Sequence, residues 1–184
     1  MKKVLFSIFA VVILTGCSFN VSDIDNTPTK QVEAYLNNYQ SLSDDVLEDL
    51  DVVIEKEDSF TDEQKEKYRN IMKNHFENLT YTIKEETVNG DTATVETEIQ
   101  VTDFYKINQA NEDYKEEHQD EFNNEEGEYD IAKYIDYRLD KMENASDKVK
   151  YTIYFTLTKN EDGDWELDEL DETEEEKILG IYEY

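Results

Sequence analysis

Residues 80–101 read TYTIKEETVNGDTATVETEIQV. On both sides of Asn89-Gly90, apolar side chains recur at every second position. They are Tyr81, Ile83, Ala93, Val95, Ile99 and Val101. A period of two is typical of a strand with one buried face, and Asn-Gly is typical of a tight turn. This stretch therefore predicts an antiparallel β-hairpin, around which the rest of the fold is organised.

The parity of the apolar positions also predicts the loop of this hairpin. A two-residue loop, Asn89-Gly90, would pair position 83 with 96 and set Ile83 opposite the polar face. A three-residue loop over residues 88–90 pairs position 83 with 95 and keeps the apolar sets together. We therefore predict a three-residue loop built on a type I turn, with Gly90 in the left-handed position of a bulge.

A second hairpin is predicted over residues 149–167. The alternating apolar residues of its first strand are Val149, Tyr151, Ile153, Phe155 and Leu157. Residues 160–163 have the composition of a turn, and Trp165 and Leu167 return with matching parity. Two hairpins give about four antiparallel strands.

Three helices are predicted before the first strand. Thr27-Pro28 is an N-cap followed by proline at the first helical position, and it starts a helix that runs to about Tyr39. Ser43 can cap a second helix. Residues 61–64 match a capping box that starts a third helix, which ends near Asn78.

Helices are predicted again between the hairpins. Residues 104–114 and 131–142 carry apolar side chains at helical spacing, while the acidic stretch 116–128 is predicted to be a loop. A short acidic helix is predicted over residues 172–179. The pattern predicts one acidic α+β domain over residues 27–184, in which N-terminal helices pack on one antiparallel, curved sheet of about four strands in two hairpins, with a helical insertion between the hairpins.

The first residues have the layout of an export signal. Lys2 and Lys3 precede an apolar run over residues 4–14, and small residues precede Cys17. This layout predicts a signal peptide over residues 1–16. The apolar run covers about half of a roughly 30 Å hydrocarbon core, so a membrane-spanning helix is not expected here.

Leu14-Thr15-Gly16-Cys17 resembles the lipobox of bacterial lipoproteins. The resemblance implies that the Cys17 thiol carries a diacylglyceryl group, which holds the protein on the extracytoplasmic face of the cell membrane. A free thiol after an ordinary signal peptide is the alternative. Residues 17–26 are predicted to be the lipidated cysteine and a tether that reaches about 30 Å when fully extended.

The chain is strongly acidic. It holds 47 Asp and Glu residues against 18 Lys and Arg residues, and removing residues 1–16 takes away two lysines and lowers the formal net charge from −29 to −31. Such a charge repels phosphates and anionic lipid headgroups, so nucleic acid is not an expected partner. The lipid therefore has to supply the affinity for the membrane.

Three short motifs carry a family resemblance. They are Pro28 with Val32, Tyr35 and Leu36, the run Asp91-Thr92-Ala93-Thr94-Val95, and the run Gly163-Asp164-Trp165-Glu166-Leu167. With the order of the elements, they resemble small Gram-positive lipoproteins with a nuclear-transport-factor-2-like (cystatin-like) domain, over most of residues 27–170. The resemblance implies a cone whose sheet can enclose a small apolar ligand, with an inward Asp and a His or Tyr for proton transfer in some members. The insertion over residues 104–146 is longer than such a domain usually carries.

His75 and Asp103 are the residues that could match that proton-transfer pattern. Asp103 continues the parity of Val101, and His75 shares an apolar helical stripe with Ile71 and Phe76, so a catalytic pair is one interpretation. The other interpretation is structural. Asp103 ends a strand, where it is solvated or caps the next helix, and a histidine beside core residues is usually a hydrogen-bonded polar edge.

The second hairpin turn resembles part of a calcium-binding loop. Asn160, Asp162 and Glu169 occupy the third, fifth and twelfth positions of that pattern, with Gly163 at the sixth. Thr158, however, occupies the first position, which requires an acidic residue. We interpret the stretch as a turn with at most weak affinity for calcium.

His118 lies in the acidic loop beside carboxylates that could join it around a metal ion. They are Glu116, Glu117 and Asp120. A surface histidine is the alternative. The sequence has no Gly-x-Ser-x-Gly, Ser-x-x-Lys or His-Glu-x-x-His motif and no phosphate-binding glycine loop, so the pattern does not favour an enzyme. No cofactor is predicted.

Two hypotheses of different classes stay open. The first is a non-enzymatic module that binds an envelope protein, a peptide or a small apolar ligand at the membrane, with Tyr154, between Thr152 and Thr156, as a candidate exposed contact. The second is a small-substrate enzyme of the nuclear-transport-factor-2-like type that uses Asp103 with His75 or a tyrosine. A filled core favours the first, and a closed apolar pocket holding a carboxylate and an imidazole favours the second. The two hypotheses are distinguished by whether four side chains fill the space between sheet and helices or line a cavity: Ile83, Ile99, Ile153 and Trp165.

Overall fold

Six helices and one four-stranded sheet make up residues 26–184, which the computed structural model describes. The elements in chain order are α1 (Pro28–Ser41), α2 (Asp44–Glu55), α3 (Asp62–Glu77), β1 (Thr80–Asn89), β2 (Thr92–Thr102), α4 (Phe104–Glu117), a 3₁₀ turn (Gln119–Phe122), α5 (Ile131–Glu143), β3 (Lys148–Lys159), β4 (Trp165–Leu167) and α6 (Glu172–Leu179). The predicted α+β class is confirmed, with helices before the sheet and a helical insertion between the hairpins. The signal peptide, the lipobox residues Leu14, Thr15 and Gly16, and Cys17 lie outside the described residues.

The helix starts follow from their caps. The side chain of Thr27 accepts a hydrogen bond from the Lys30 amide, with Pro28 at the first helical position. The Ser43 hydroxyl caps α2, and Thr61 forms a capping box with Gln64 at the start of α3. These side chains satisfy amides that have no partner within their own helix. The predicted starts of the first three helices are thus confirmed.

All strand pairs are antiparallel, in the order β1-β2-β3-β4. Strands β2 and β3 pair along their length, from Thr92 opposite Thr158 to Thr102 opposite Lys148. The helical insertion therefore connects two neighbouring strands, and the two hairpins form one sheet.

The predicted loop of the first hairpin is wrong. The structure has a two-residue turn, Gly90-Asp91, flanked by the pair Asn89 and Thr92, and Ile83 pairs with Thr97. The register shifts between Ile83 and Glu85, as expected when a bulge inserts one extra residue. The prediction assumed that one register holds along the whole hairpin. The shift instead lets Tyr81 and Ile83 align with the buried positions of β2 although the turn has only two residues. Gly90 does have the predicted left-handed conformation, with φ of 65°.

The second hairpin is as predicted. Leu157 pairs with Leu167 and Lys159 pairs with Trp165. The Asn160 side chain accepts hydrogen bonds from the amides of Asp162 and Asp164. This oxygen organises the turn, in agreement with its interpretation as a turn.

The helix-facing side of the sheet is filled with apolar side chains. Ile99 and Ile153 are completely buried, Trp165 is 8% exposed, and Ile83 is partly buried against the same core. The opposite face is open, and Tyr154 is 54% exposed there. An antiparallel sheet with one packed and one solvated face explains the alternating sequence pattern.

Asn26 connects the start of the described chain to the edge of the sheet. Its side-chain oxygen accepts a hydrogen bond of 2.5 Å from the Trp165 amide, and its side-chain nitrogen donates to the Trp165 carbonyl at 3.4 Å. The amide side chain thus pairs with edge strand β4 as a neighbouring strand would. In residues 26–184, no helix is long and apolar enough to cross a bilayer.

Candidate functional site

His75 lies on α3 and is almost completely buried, with 1% of its surface exposed. Its ring stacks on Phe104 with the centroids 4.9 Å apart, and its Nε2 lies 2.9 Å from the carbonyl oxygen of Ile178. Because a carbonyl only accepts, Nε2 carries the proton. Burial lowers the pKa of His75 to about 4. His75 is therefore a neutral donor that connects α3 to α6.

Both carboxylate oxygens of the buried Asp103 have partners. Oδ1 accepts from the Lys106 amide at 3.0 Å, and Oδ2 accepts from the Tyr184 hydroxyl at 2.8 Å. Asp103 is thus the N-cap of α4, and the capping interpretation is confirmed. Within the described part of the chain, no hydrogen bond joins His75 to Asp103.

Gly180 closes the same region. It ends α6 with φ of 71°, and its carbonyl accepts from the Tyr105 amide at 2.8 Å. A Cβ atom here would lie 2.1 Å from the Thr102 oxygen and 3.2 Å from the Cε1 of His75. Five residues fasten the C-terminal segment to the domain, and we call them the His75 site: His75, Asp103, Ile178, Gly180 and Tyr184.

A pocket of about 20 Å³ lies between the α2–α3 loop, α3 and α5. This volume is enough for about one water molecule or a group of similar size. Its lining side chains are Phe60, Tyr68, Ile135, Leu139 and Met142, with Glu57 and Arg138 as the charged members. We call it the Arg138 pocket. None of Ile83, Ile99, Ile153 and Trp165 lines it, so it is not enclosed by the sheet.

Arg138 is half-buried and has no carboxylate oxygen within 4.0 Å among residues 26–184. Its Nε is buried without a hydrogen-bond partner, and its guanidinium lies 5.7 Å from the centre of the Tyr134 ring. The other arginine, Arg69, forms ion pairs with Asp51 and Glu66. An arginine cannot lose its charge in a protein. Arg138 is therefore a permanent cation with unused donors at an apolar pocket.

Glu57 lines the same pocket and is half-buried. Burial raises the pKa of its carboxyl above the ordinary value, against the opposing effect of the positive charges of Arg138 and Lys65. The two charges of the pocket are thus close enough to influence each other but are not in contact. The arrangement can contact one negative and one positive group, and it contains no nucleophile beside a base.

The other predicted site residues lie apart from both regions. Asn160 and Asp162 lie in the second hairpin turn, and Glu169 is exposed beyond β4. His118 ends α4, stacks on Tyr114 at 4.1 Å, and lies 3.4 Å from Glu121. In the range 26–184, no three Asp, Glu, His or Cys side chains are grouped as ligands for a metal ion.

The sequence reasoning missed Glu57 and Arg138. Arg138 follows Tyr134 and Ile135 on an amphipathic helix, where a basic residue beside an apolar stripe is usually a solvated neighbour of the core. The helical spacing does show that Arg138 lies beside the stripe. Its lack of a carboxylate partner depends on tertiary distances, which no local pattern contains.

Residues 1–18, which include Cys17, match the model of the prokaryotic membrane lipoprotein lipid attachment site. This match implies anchoring to the membrane through a lipidated cysteine. No curated protein matches the chain. Among solved structures, the chain is similar to a Bacillus subtilis protein, ycdA, whose structure is described as that of a lipoprotein. The identity is 15% and the TM-score is 0.43, over 95% of this chain and 53% of that protein. The chain thus spans about half the length of that protein, and the likeness to nuclear-transport-factor-2-like domains stays a prediction.

Proposed function

We propose that this protein is held by lipid on Cys17 at the extracytoplasmic face of the membrane, and that its acidic domain is a non-enzymatic module that binds a small ligand in the Arg138 pocket. The observation that carries the binding role is the guanidinium of Arg138, which is partly buried at an apolar pocket without an acceptor. Buried polar groups normally have partners, and a charged group without one is stabilised by any ligand that supplies it.

The polar groups of the His75 site support binding over proton transfer. A general acid or base has to reach the substrate and titrate near the working pH. The Nε2 of His75 donates to the Ile178 carbonyl, and the oxygens of Asp103 accept from the Lys106 amide and the Tyr184 hydroxyl. The Nδ1 of His75 has no partner, but it is completely buried, so a substrate would not reach it. Both side chains fasten elements together, which leaves the Arg138 pocket as the better site for a ligand.

The anchor is tested by changing Cys17 to Ala. The variant should leave the membrane fraction and unfold at the same urea concentration as the wild type, because the lipid supplies the membrane affinity while the fold does not depend on it. Fractionation and immunoblotting measure the distribution, and mass spectrometry should find the diacylglyceryl adduct on the wild-type cysteine. Protease added to intact cells should digest the wild-type domain.

Two controls belong to this experiment. Ser18→Ala changes the neighbouring residue and should stay in the membrane fraction. Cys17→Ala could also block removal of the signal peptide. A second variant therefore combines Cys17→Ala with a conventional cleavable signal in place of residues 1–16, so that the signal is removed and only the lipid is missing. If that variant stays on the membrane, the lipid is not what holds the domain there. Digestion only after cell lysis would contradict the extracytoplasmic placement.

The binding role is tested by methyl NMR on the solubilised lipoprotein. Alanine and propionate each carry a carboxylate, and at least one of them should shift the methyl resonances of Ile135, Leu139 and Met142 in a saturable way. Arg138→Gln should abolish the shifts, whereas Lys141→Gln, which removes the same charge from the same helix, should leave them unchanged. If neither probe shifts these resonances, the proposed binding role is wrong.

A further inference from the structure

We propose that the ligand of the Arg138 pocket is a small zwitterion, an α-amino acid with a short aliphatic side chain, whose carboxylate contacts Arg138 and whose ammonium contacts Glu57. This inference rests on the proposed function and specifies its ligand class. It also assigns Glu57 a role in selecting the ligand.

The two opposite charges of the pocket favour a zwitterion. Glu57 and Arg138 line the same small space, yet their charged atoms are more than 4.0 Å apart. A simple carboxylate that approached Arg138 would meet the carboxylate of Glu57, and a simple amine that approached Glu57 would meet the guanidinium. A molecule that carries both charges satisfies both side chains and brings no net charge into the site.

The shape of the guanidinium favours a carboxylate as its partner. A guanidinium presents its N–H groups in a planar fork that fits the two oxygens of a carboxylate. Arg138 lines the pocket, its Nε has no partner, and no carboxylate oxygen of residues 26–184 lies within 4.0 Å of its guanidinium, so the fork retains unused donors. Glu57 offers carboxylate oxygens as acceptors for the N–H groups of an ammonium.

The size and polarity of the pocket favour a short aliphatic side chain. Apart from Tyr68 and the two charged residues, the pocket is lined by the apolar side chains of Phe60, Ile135, Leu139 and Met142. The pocket is partly open, and its volume of about 20 Å³ has room for about one methyl-sized group. Only the side chain of the amino acid therefore enters it, while the carboxylate and the ammonium lie at the partly exposed Arg138 and Glu57. A side chain of alanine size therefore fits without rearrangement, whereas a long or aromatic one would have to displace core residues.

The experiment compares three probes in methyl NMR titrations of the solubilised lipoprotein at neutral pH. Alanine carries both charges, propionate lacks the ammonium, and ethylamine lacks the carboxylate. The dissociation constant of alanine should be at least about 10-fold lower than those of propionate and ethylamine, because each charge-assisted contact contributes about this factor. Both enantiomers of alanine are titrated, and the tighter one is used for the comparison.

Variants assign each charge to its residue. Glu57→Gln should remove the advantage of alanine over propionate, and Arg138→Gln should lower the affinity for alanine to that for ethylamine or below. Lys141→Gln should leave all three affinities unchanged. If Glu57→Gln disturbs the methyl spectrum of the free protein, Glu57→Asp replaces it, because this variant keeps the charge on a side chain shorter by one methylene. Glu57→Asp should lower the affinity for alanine and leave that for propionate unchanged.

The outcomes separate this inference from the function on which it rests. If propionate binds as tightly as alanine and Arg138→Gln abolishes both, the zwitterion is wrong, but the pocket remains a carboxylate site. If alanine binds best but Glu57→Gln leaves its advantage unchanged, the role of Glu57 is wrong. If none of the three probes shifts the pocket methyl groups, both proposals are overturned.

Discussion

The His75 site and the Arg138 pocket each place a basic side chain against an aromatic ring, but only the first supplies a hydrogen-bond acceptor. His75 donates to the Ile178 carbonyl, and burial keeps it neutral. Arg138 has no acceptor for its buried Nε, and its charge is permanent. Histidine can adapt to an apolar interior by losing its proton, and arginine cannot. The first group therefore becomes part of the fold, and the second stays available to an anionic group.

The largest effect on stability is expected from a substitution of Gly180 in the His75 site. Gly180→Ala should lower the free energy of unfolding by about 3 kcal/mol, because the new Cβ would meet the Thr102 oxygen and the backbone is left-handed. The matched control is Gly163→Ala, which has φ of 87° but nothing within 4 Å of the new Cβ. Gly163→Ala should lower the free energy of unfolding by about 1 kcal/mol, which is the cost of the left-handed backbone conformation alone. Urea unfolding measures both, and equal losses would show that the close approach at Gly180 is not important.

A smaller effect concerns the protonation of His75. The unfolded chain has an ordinary histidine pKa near 6.5, whereas burial lowers the pKa to about 4 in the folded protein. The unfolded state therefore binds more protons between these values, so this contribution to stability is complete above pH 6.5 and is lost as the pH falls towards 4. From pH 7 to pH 5 the loss should be about 2 kcal/mol.

His75→Gln isolates that effect, since its amide can still donate to Ile178. The variant should be less stable than the wild type at pH 7 because it loses the stacking on Phe104, and the gap should shrink by about 2 kcal/mol at pH 5. Protonation of carboxylates at lower pH reduces their mutual repulsion in the wild type and in the variant alike. This effect cancels when the two free energies of unfolding are subtracted. A gap that is the same at both pH values, measured by urea unfolding, would mean that His75 is not held neutral.

The smallest effect is expected at Arg138. Arg138→Gln should change the free energy of unfolding by at most about 0.5 kcal/mol, because no ion pair is lost and the contact with Tyr134 is weak. Arg69→Gln removes the same charge but breaks the pair with Asp51, and it should cost about 1 kcal/mol. Thermal unfolding compares the two variants. A loss at Arg138 as large as that at Arg69 would show that Arg138 has a structural partner, and the contrast with His75 would disappear.

Most of the fold could be predicted because its signals are local. The cap at Thr27, the capping box at Thr61 and the alternation in β3 each depend on residues close together in sequence, and the last helix was predicted with the bounds Glu172–Leu179 that the structure shows. The register shift within β1 could not be predicted, because the period of two also fits a three-residue loop and the choice depends on packing against the helices.

The candidate sites could be predicted less well because their partners are distant in sequence. His75 was placed on the apolar stripe of α3, but Ile178, which fixes its tautomer, lies 103 residues away. The cap at Asp103 is local and was one of the two predicted alternatives. The Arg138 pocket combines α5 with the α2–α3 loop. Its defining property is a cation with no carboxylate oxygen of residues 26–184 within 4.0 Å, and this property depends on distances in three dimensions.

The contact of Asn26 with Trp165 has a mechanical consequence. Among residues 26–184, the first contacts that a force on the N-terminal side would meet are the two hydrogen bonds of Asn26 to the backbone of a three-residue strand. Immediately beyond lies α1, whose Val32 and Leu36 are completely buried. The two hydrogen bonds of Asn26 should therefore break under a lower force than the buried contacts of α1. Their loss would lengthen the tether while the hydrophobic core stays intact.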